Sequence, residues 1–97
     1  MVKIDFSKIV VKDIEGKPYM VPKGQEKVPY DFAQSLGNAL FYSSEDIHFS
    51  ELGQKIYHHE VVELNDEEIQ TLRGIINKGF VPFVLLSVNP QLDEMLK

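Results

Sequence analysis

Three histidines, fifteen carboxylates and no cysteine define the side-chain chemistry open to this 97-residue chain. His58 and His59 are adjacent, and His48 precedes them by about three helical turns. On a helix, neighbours at i and i+1 point about 100° apart, whereas i and i+4 share a face. His58 and His59 therefore cannot ligate one metal from one regular helix. A metal site would need His48 with one of the pair, closed by Glu51 or Glu60, and that spacing matches no usual zinc pattern. The expectation is exposed imidazoles at a helix C-terminus, where partial positive charge is favoured. No metal ligand and no cofactor is expected.

Acid pairs such as Glu45/Asp46 and Asp93/Glu94 are the right groups for acid–base or glycosidic chemistry. Nothing in their spacing sets a pair across a cleft, so solubility and helix capping are their expected roles. Ser35, Ser43, Ser44, Ser50 and Ser87 lack a G-x-S-x-G elbow. Gly16 and Gly24 stand alone rather than in a phosphate-cradling loop. The chain predicts no catalytic residue and reads as a non-enzyme.

Binding is the remaining chemistry, and aromatics carry it. Of six Phe and four Tyr, Phe32, Phe41, Phe49 and Phe83 are expected to fill the core. Tyr19, Tyr30, Tyr42 and Tyr57 have polar tips suited to half-buried sites, interfaces included. Tyr42 with Phe41, at the end of the first expected helix, and Tyr57 are the preferred anchors for a partner. Beside them stands an acidic run: Glu60, Glu63, Asp66 and Glu67, followed by Glu68. The candidate partner-binding set is Phe41, Tyr42, Tyr57, Glu60, Glu63, Asp66 and Glu67. Another protein, or a second copy, is the expected partner.

Charge supports that reading. The net charge is −5. Residues 1–30 carry six lysines against four acids, and residues 31–97 carry four basic groups against eleven acids. An acidic surface repels phosphate backbones, so nucleic acid is not an expected partner. An acidic protein that mimics nucleic acid on a host enzyme is the alternative, and a small metal-dependent enzyme ranks last. The first residues lack a basic region followed by an apolar core, so no signal peptide is expected. The longest apolar run, 80–86, contains Pro82 and falls short of the roughly 20 residues that cross a bilayer. The absence of cysteine is compatible with a cytoplasmic location.

The elements that position these residues follow from periodicity. The length fits one domain, β-rich over 1–21 and mainly helical over 29–97. Val2, Ile4 and Phe6 alternate with polar residues, 9–14 is rich in β-branched residues, and Gly16 suits a turn before Tyr19-Met20-Val21. This predicts a β-hairpin over 9–21, either alone or joined by 2–6 in a three-stranded sheet. The polar stretch 22–27 reads as a loop. Phe32, Leu36, Ala39 and Leu40 mark a first helix entered at Pro29. Gly37 weakens it by up to about 1 kcal/mol but permits a close helix contact. Ser43, Ser44, Glu45 and Asp46 supply caps for a second helix, carrying Phe49, Leu52 and Ile56 to about His59. Residues 61–64 read as a short strand added to the N-terminal sheet. Asn65, followed by three acids, is the clearest helix start in the chain: a capping box with Glu68, then Ile69, Leu72 and Ile76 inward and Gly79 as a C-terminal glycine. Residues 80–88 read as a buried helix or a buried strand, with Pro82 favouring helix. Asn89-Pro90 then predicts a break before a last short helix, 90–96, with Leu92, Met95 and Leu96 facing inward. The fold class is α+β, a small N-terminal sheet packed on three to five short helices.

Four segments together carry a resemblance: Ile9-Val10-Val11-Lys12-Asp13-Ile14-Glu15-Gly16-Lys17-Pro18, the helix 32–40, Leu52-Gly53-Gln54-Lys55-Ile56-Tyr57, and Val62-Glu63-Leu64-Asn65-Asp66-Glu67-Glu68-Ile69. In this layout the chain resembles small uncharacterised proteins encoded by bacteriophages, prophages and related bacterial mobile elements. The resemblance implies a small accessory protein, either a virion-assembly factor or a modulator of a host protein. It carries over no catalytic residue.

Overall fold

Val2, Lys3 and Ile4 form the first strand because their alternation has a partner far along the chain. In the computed structural model, which describes residues 1–43 and 45–97, β1 (Val2–Ile4) pairs antiparallel with β4 (Val62–Leu64). The register sets Val2 opposite Leu64, Lys3 opposite Glu63 and Ile4 opposite Val62. Ile4, Val62 and Leu64 are buried, and Lys3 and Glu63 pair on the outer face at 3.7 Å. The extended segment at 61–64 thus joins an N-terminal strand, but among the described residues this sheet holds only β1 and β4. A single 3-10 turn (Phe6–Lys8), capped by Asp5, buries Phe6 beneath it.

The hairpin expected over 9–21 lies one segment later. β2 (Met20–Lys23) pairs with β3 (Glu26–Pro29) around Gly24, whose φ is 65°. The polar stretch read as a loop is therefore a hairpin with a Gly24-Gln25 connection, where positive φ suits the strand twist. Pro22 and Pro29 are tolerated because both strands of a two-stranded sheet are edges. Residues 9–14 form no regular strand because other groups take their backbone bonds. Val10 N–H donates to Gln91 Oε1 at 2.9 Å, Gln91 Nε2 donates to Val10 O at 2.7 Å, and Lys12 N–H donates to Ser87 Oγ at 2.9 Å. Asp13 Oδ1 accepts from Glu15 and Lys17 N–H and closes the chain on itself around Gly16, whose φ is 82°. A lone bridge, Lys12 to Pro18, is what remains of the expected pairing. Ile9 and Val11 still point into the core.

Among the described residues four helices complete the α+β fold. α1 (Phe32–Ser43) begins after Asp31, whose Oδ1 accepts from Gln34 N–H at 3.0 Å; Pro29 belongs to β3 instead. α2 (Ile47–Tyr57) is capped by Asp46; Ser44, another expected cap, lies outside the described residues. α3 (Asp66–Gly79) carries the full capping box: Asn65 accepts from Glu68 N–H, and Glu68 Oε1 accepts from Asn65 N–H. Gly79 is the last helical residue and not a left-handed C-terminal glycine. The chain leaves through extended Phe80 and Val81, as a residue before Pro82 must.

α4 (Pro82–Met95) is one helix across Asn89-Pro90, where a break was expected. Proline at this position deprives the Leu86 carbonyl of its donor. Leu86 is exposed, so water can serve that carbonyl, and Gln91 Nε2 donates to the next one, Ser87 O, at 2.8 Å. The core draws on every element of the helical part: Phe32, Leu36 and Leu40; Phe49, Leu52 and Ile56; Ile69, Leu72 and Ile76; Val84, Val88 and Leu92. Met95 and Leu96 are half-buried against it. Phe41 and Phe83, expected within it, are 41% and 42% exposed. Among the described residues no helix is long and apolar enough to cross a membrane.

Candidate binding site

α1 and α2 form an antiparallel pair whose closest approach is made by two glycines. A Cβ on Gly37 would lie 2.6 Å from Gly53 O and 2.7 Å from Tyr57 Cβ, and a Cβ on Gly53 would lie 2.8 Å from Gly37 O. No side chain fits between the helices there, and a groove lies beside the contact. Gly37, Asn38, Phe41, Tyr42, Gly53, Gln54, Tyr57 and His58 line it around a volume of about 200 Å³. Its lining combines the two glycines, the rings of Phe41, Tyr42 and Tyr57, the amides of Asn38 and Gln54, and the His58 imidazole.

The three aromatic anchors chosen from the sequence thus converge on one groove. Phe41 and Tyr42 meet edge to face with centroids 4.9 Å apart. Tyr42 is 79% exposed. Tyr57 packs edge-on against His58 at 5.2 Å, and its hydroxyl accepts from Gln34 Nε2 at 3.2 Å. That bond fixes the ring across the two helices. Asn38 and Gln54 add amides that both donate and accept.

The acidic candidates are divided. Glu60 borders a second hollow with Glu51, Gln54, Lys55 and His58, contiguous with the groove through Gln54 and His58. Glu63 pairs with Lys3 across the β1–β4 ladder. Asp66 and Glu67 are exposed in the first turn of α3, where they complement the helix dipole. None of these last three lines the aromatic groove.

Each of two histidines meets its own carboxylate. His48 Nε2 bonds Glu68 Oε2 and ties the start of α2 to that of α3. The Asn65 N–H, first, and then the His48 ring hold the Glu68 carboxyl below the usual carboxylate range. His59 Nε2 lies 2.6 Å from Asp31 Oδ2. His59 has φ 63°, with His59 N–H bonded to Ile56 O and Glu60 N–H to Lys55 O. This is a Schellman ending with histidine in the left-handed position that glycine usually takes. Asp31 therefore caps α1 with one oxygen and holds the end of α2 with the other. Among the described residues no three His, Asp or Glu side chains gather as a metal site.

A second surface lies outside the seven candidate residues and includes part of the apolar run 80–88, which the sequence offered either as core or as a dimer surface. Ile14, Tyr19, Phe83 and Leu86 surround an apolar hollow with Lys12, Asp13 and Ser87. Its sequence signal was an isoleucine inside a turn, Asp13-Ile14-Glu15-Gly16, and a Phe83/Leu86 pair offset from the Val84, Val88, Leu92 stripe. Comparison with protein-family models, curated proteins and solved structures finds no match to this chain.

Proposed function

We propose that this protein is a non-enzymatic binding module that engages another protein through the α1–α2 groove, in the cytoplasm, as an accessory or assembly factor of the phage and mobile-element kind its sequence resembles. The convergence of Phe41, Tyr42 and Tyr57 on one groove carries the reading. Aromatic side chains with polar tips dominate interface energetics, and anchors in a groove are where binding energy concentrates. Glu51 and Glu60 at the contiguous hollow add a polar rim. The test is capture of a protein from the source cell on the immobilised chain; no species above background counts against the proposal.

The second reading is an acidic mimic that occupies a nucleic-acid site on a host protein. Exposed Glu63, Asp66 and Glu67, on successive elements away from the groove, favour it. Salt separates the two. Binding by charge mimicry weakens steeply between about 0.05 and 0.5 M salt, whereas an apolar anchor hardly responds.

A further inference from the structure

Taking the α1–α2 groove as the binding site, we infer that its occupant is the side chain of an arginine on the partner protein. The groove is small. Its volume of about 200 Å³ lies below the roughly 300–1,000 Å³ of pockets that enclose drug-sized ligands, and suits one long side chain. The lining selects which one. The rings of Phe41, Tyr42 and Tyr57 stand with the amides of Asn38 and Gln54, and no lysine, arginine or carboxylate lines the groove among the described residues. Phe41 and Tyr42 meet at 86° rather than stacked, and Tyr42 is 79% exposed, so ring face stays open to a ligand. Such faces attract a cation. A flat guanidinium stacks on them while its N–H groups donate to amide oxygens, and its apolar stem covers the remaining surface.

Charge makes the same selection. α1 carries no charged residue, and over residues 31–60 Asp31, Glu45, Asp46, Glu51 and Glu60 stand against Lys55 alone. In the hollow contiguous with the groove, Glu51 and Glu60 outnumber Lys55. Several carboxylates elsewhere are taken up within the chain: Glu63 by Lys3, Glu68 by His48, Asp31 by His59 and Asp93 by Arg73. Among the described residues Glu51 and Glu60 enter no such pair, which leaves their charge for a partner's cation. An apolar or acidic side chain in the groove would leave both carboxylates unanswered. One cation gives only a shallow salt response, so salt still distinguishes this groove from a charge mimic.

The experiment titrates the full chain with two peptides, acetyl-Gly-Ser-Arg-Ser-Gly amide and the same peptide with citrulline, the neutral isostere of arginine, each to about 10 mM. Binding is read from backbone amide NMR shifts. His58 borders both hollows, so the titration runs at about pH 8, where imidazole carries little charge. The arginine peptide should shift the amides of Asn38, Tyr42, Gln54 and Tyr57 and bind at least about threefold more tightly than the citrulline peptide. Glu51 and Glu60 are exposed, so a Glu51→Gln, Glu60→Gln double variant should keep its circular dichroism and lose most of that preference. Equal binding of the two peptides in the groove overturns the arginine and leaves the groove as the binding site. An absence of groove shifts with either peptide overturns it as well, and protein capture on Tyr42→Ala then decides the groove separately. Arginine-specific shifts confined to Glu63, Asp66 and Glu67 overturn both.

Discussion

His59 and the paired glycines show how single residues fix the site. The left-handed backbone costs a non-glycine residue about 1–2 kcal/mol, and His59 accepts that cost at a position where its ring meets Asp31. His59→Ala keeps the backbone strain and loses the contact, whereas His59→Gly loses the contact and relieves the strain. The glycine variant should therefore be the more stable of the two by about 1 kcal/mol, read from urea unfolding midpoints. Glycine has opposite meanings elsewhere. Gly37→Ala would drive a Cβ into Gly53 O and Tyr57 and should destabilise by about 1–3 kcal/mol despite better helix propensity. Gly74 in α3 has open space around it, so Gly74→Ala should stabilise by about 0.5–1 kcal/mol. Equal effects at the two positions would show that the α1–α2 contact is looser than described.

The elements differ in how openly they announce themselves. α3 is set by its own start: Asn65 and Glu68 satisfy each other's backbone donors, and His48 adds a link from α2. Because the Glu68 carboxyl is held below its usual range, the stability it supplies is full above the unfolded value near pH 4 and is lost as pH falls through the lower folded value. Glu68→Gln should flatten the acid limb of a stability–pH curve measured by denaturant unfolding. An unchanged acid limb would contradict the role given to this carboxylate. α3 and its cap were legible in the sequence because the relevant groups lie within one turn of each other. The stripes of α1 and α2 were legible for the same reason. The course of α4 was only half legible. Pro82 marks its start, but continuity through Pro90 rests on the exposure of Leu86, whose carbonyl is the one that loses its donor, and that exposure is not visible in a local pattern.

At the scale of the whole molecule, the strands were the least legible part. β1 finds its partner in β4, far along the chain. Residues 9–14 look like a strand by composition, yet side chains of α4 satisfy their backbone instead. Composition at 22–27 suggested a loop, while two edge strands tolerate the same prolines and lysines. Of the candidate site, the aromatic anchors were legible because helix ends and exposed tyrosines are local properties. Their meeting in one groove was not, since it depends on Gly37 and Gly53 bringing two helices into contact. The acidic residues read as one run separate in space, because Glu63, Asp66 and Glu67 stand on β4 and α3, apart from the hollow that Glu60 borders. The most direct test is paired capture from source-cell extract on immobilised wild type, Tyr42→Ala, and a triple variant Glu63→Gln, Asp66→Asn, Glu67→Gln. Tyr42 is largely exposed, so its removal should leave the fold intact. A groove anchor worth about 2 kcal/mol or more predicts at least a tenfold loss of the captured protein on Tyr42→Ala and none on the triple variant. Equal recovery on wild type and Tyr42→Ala, with loss only on the triple variant, would contradict the groove and assign binding to the acidic face.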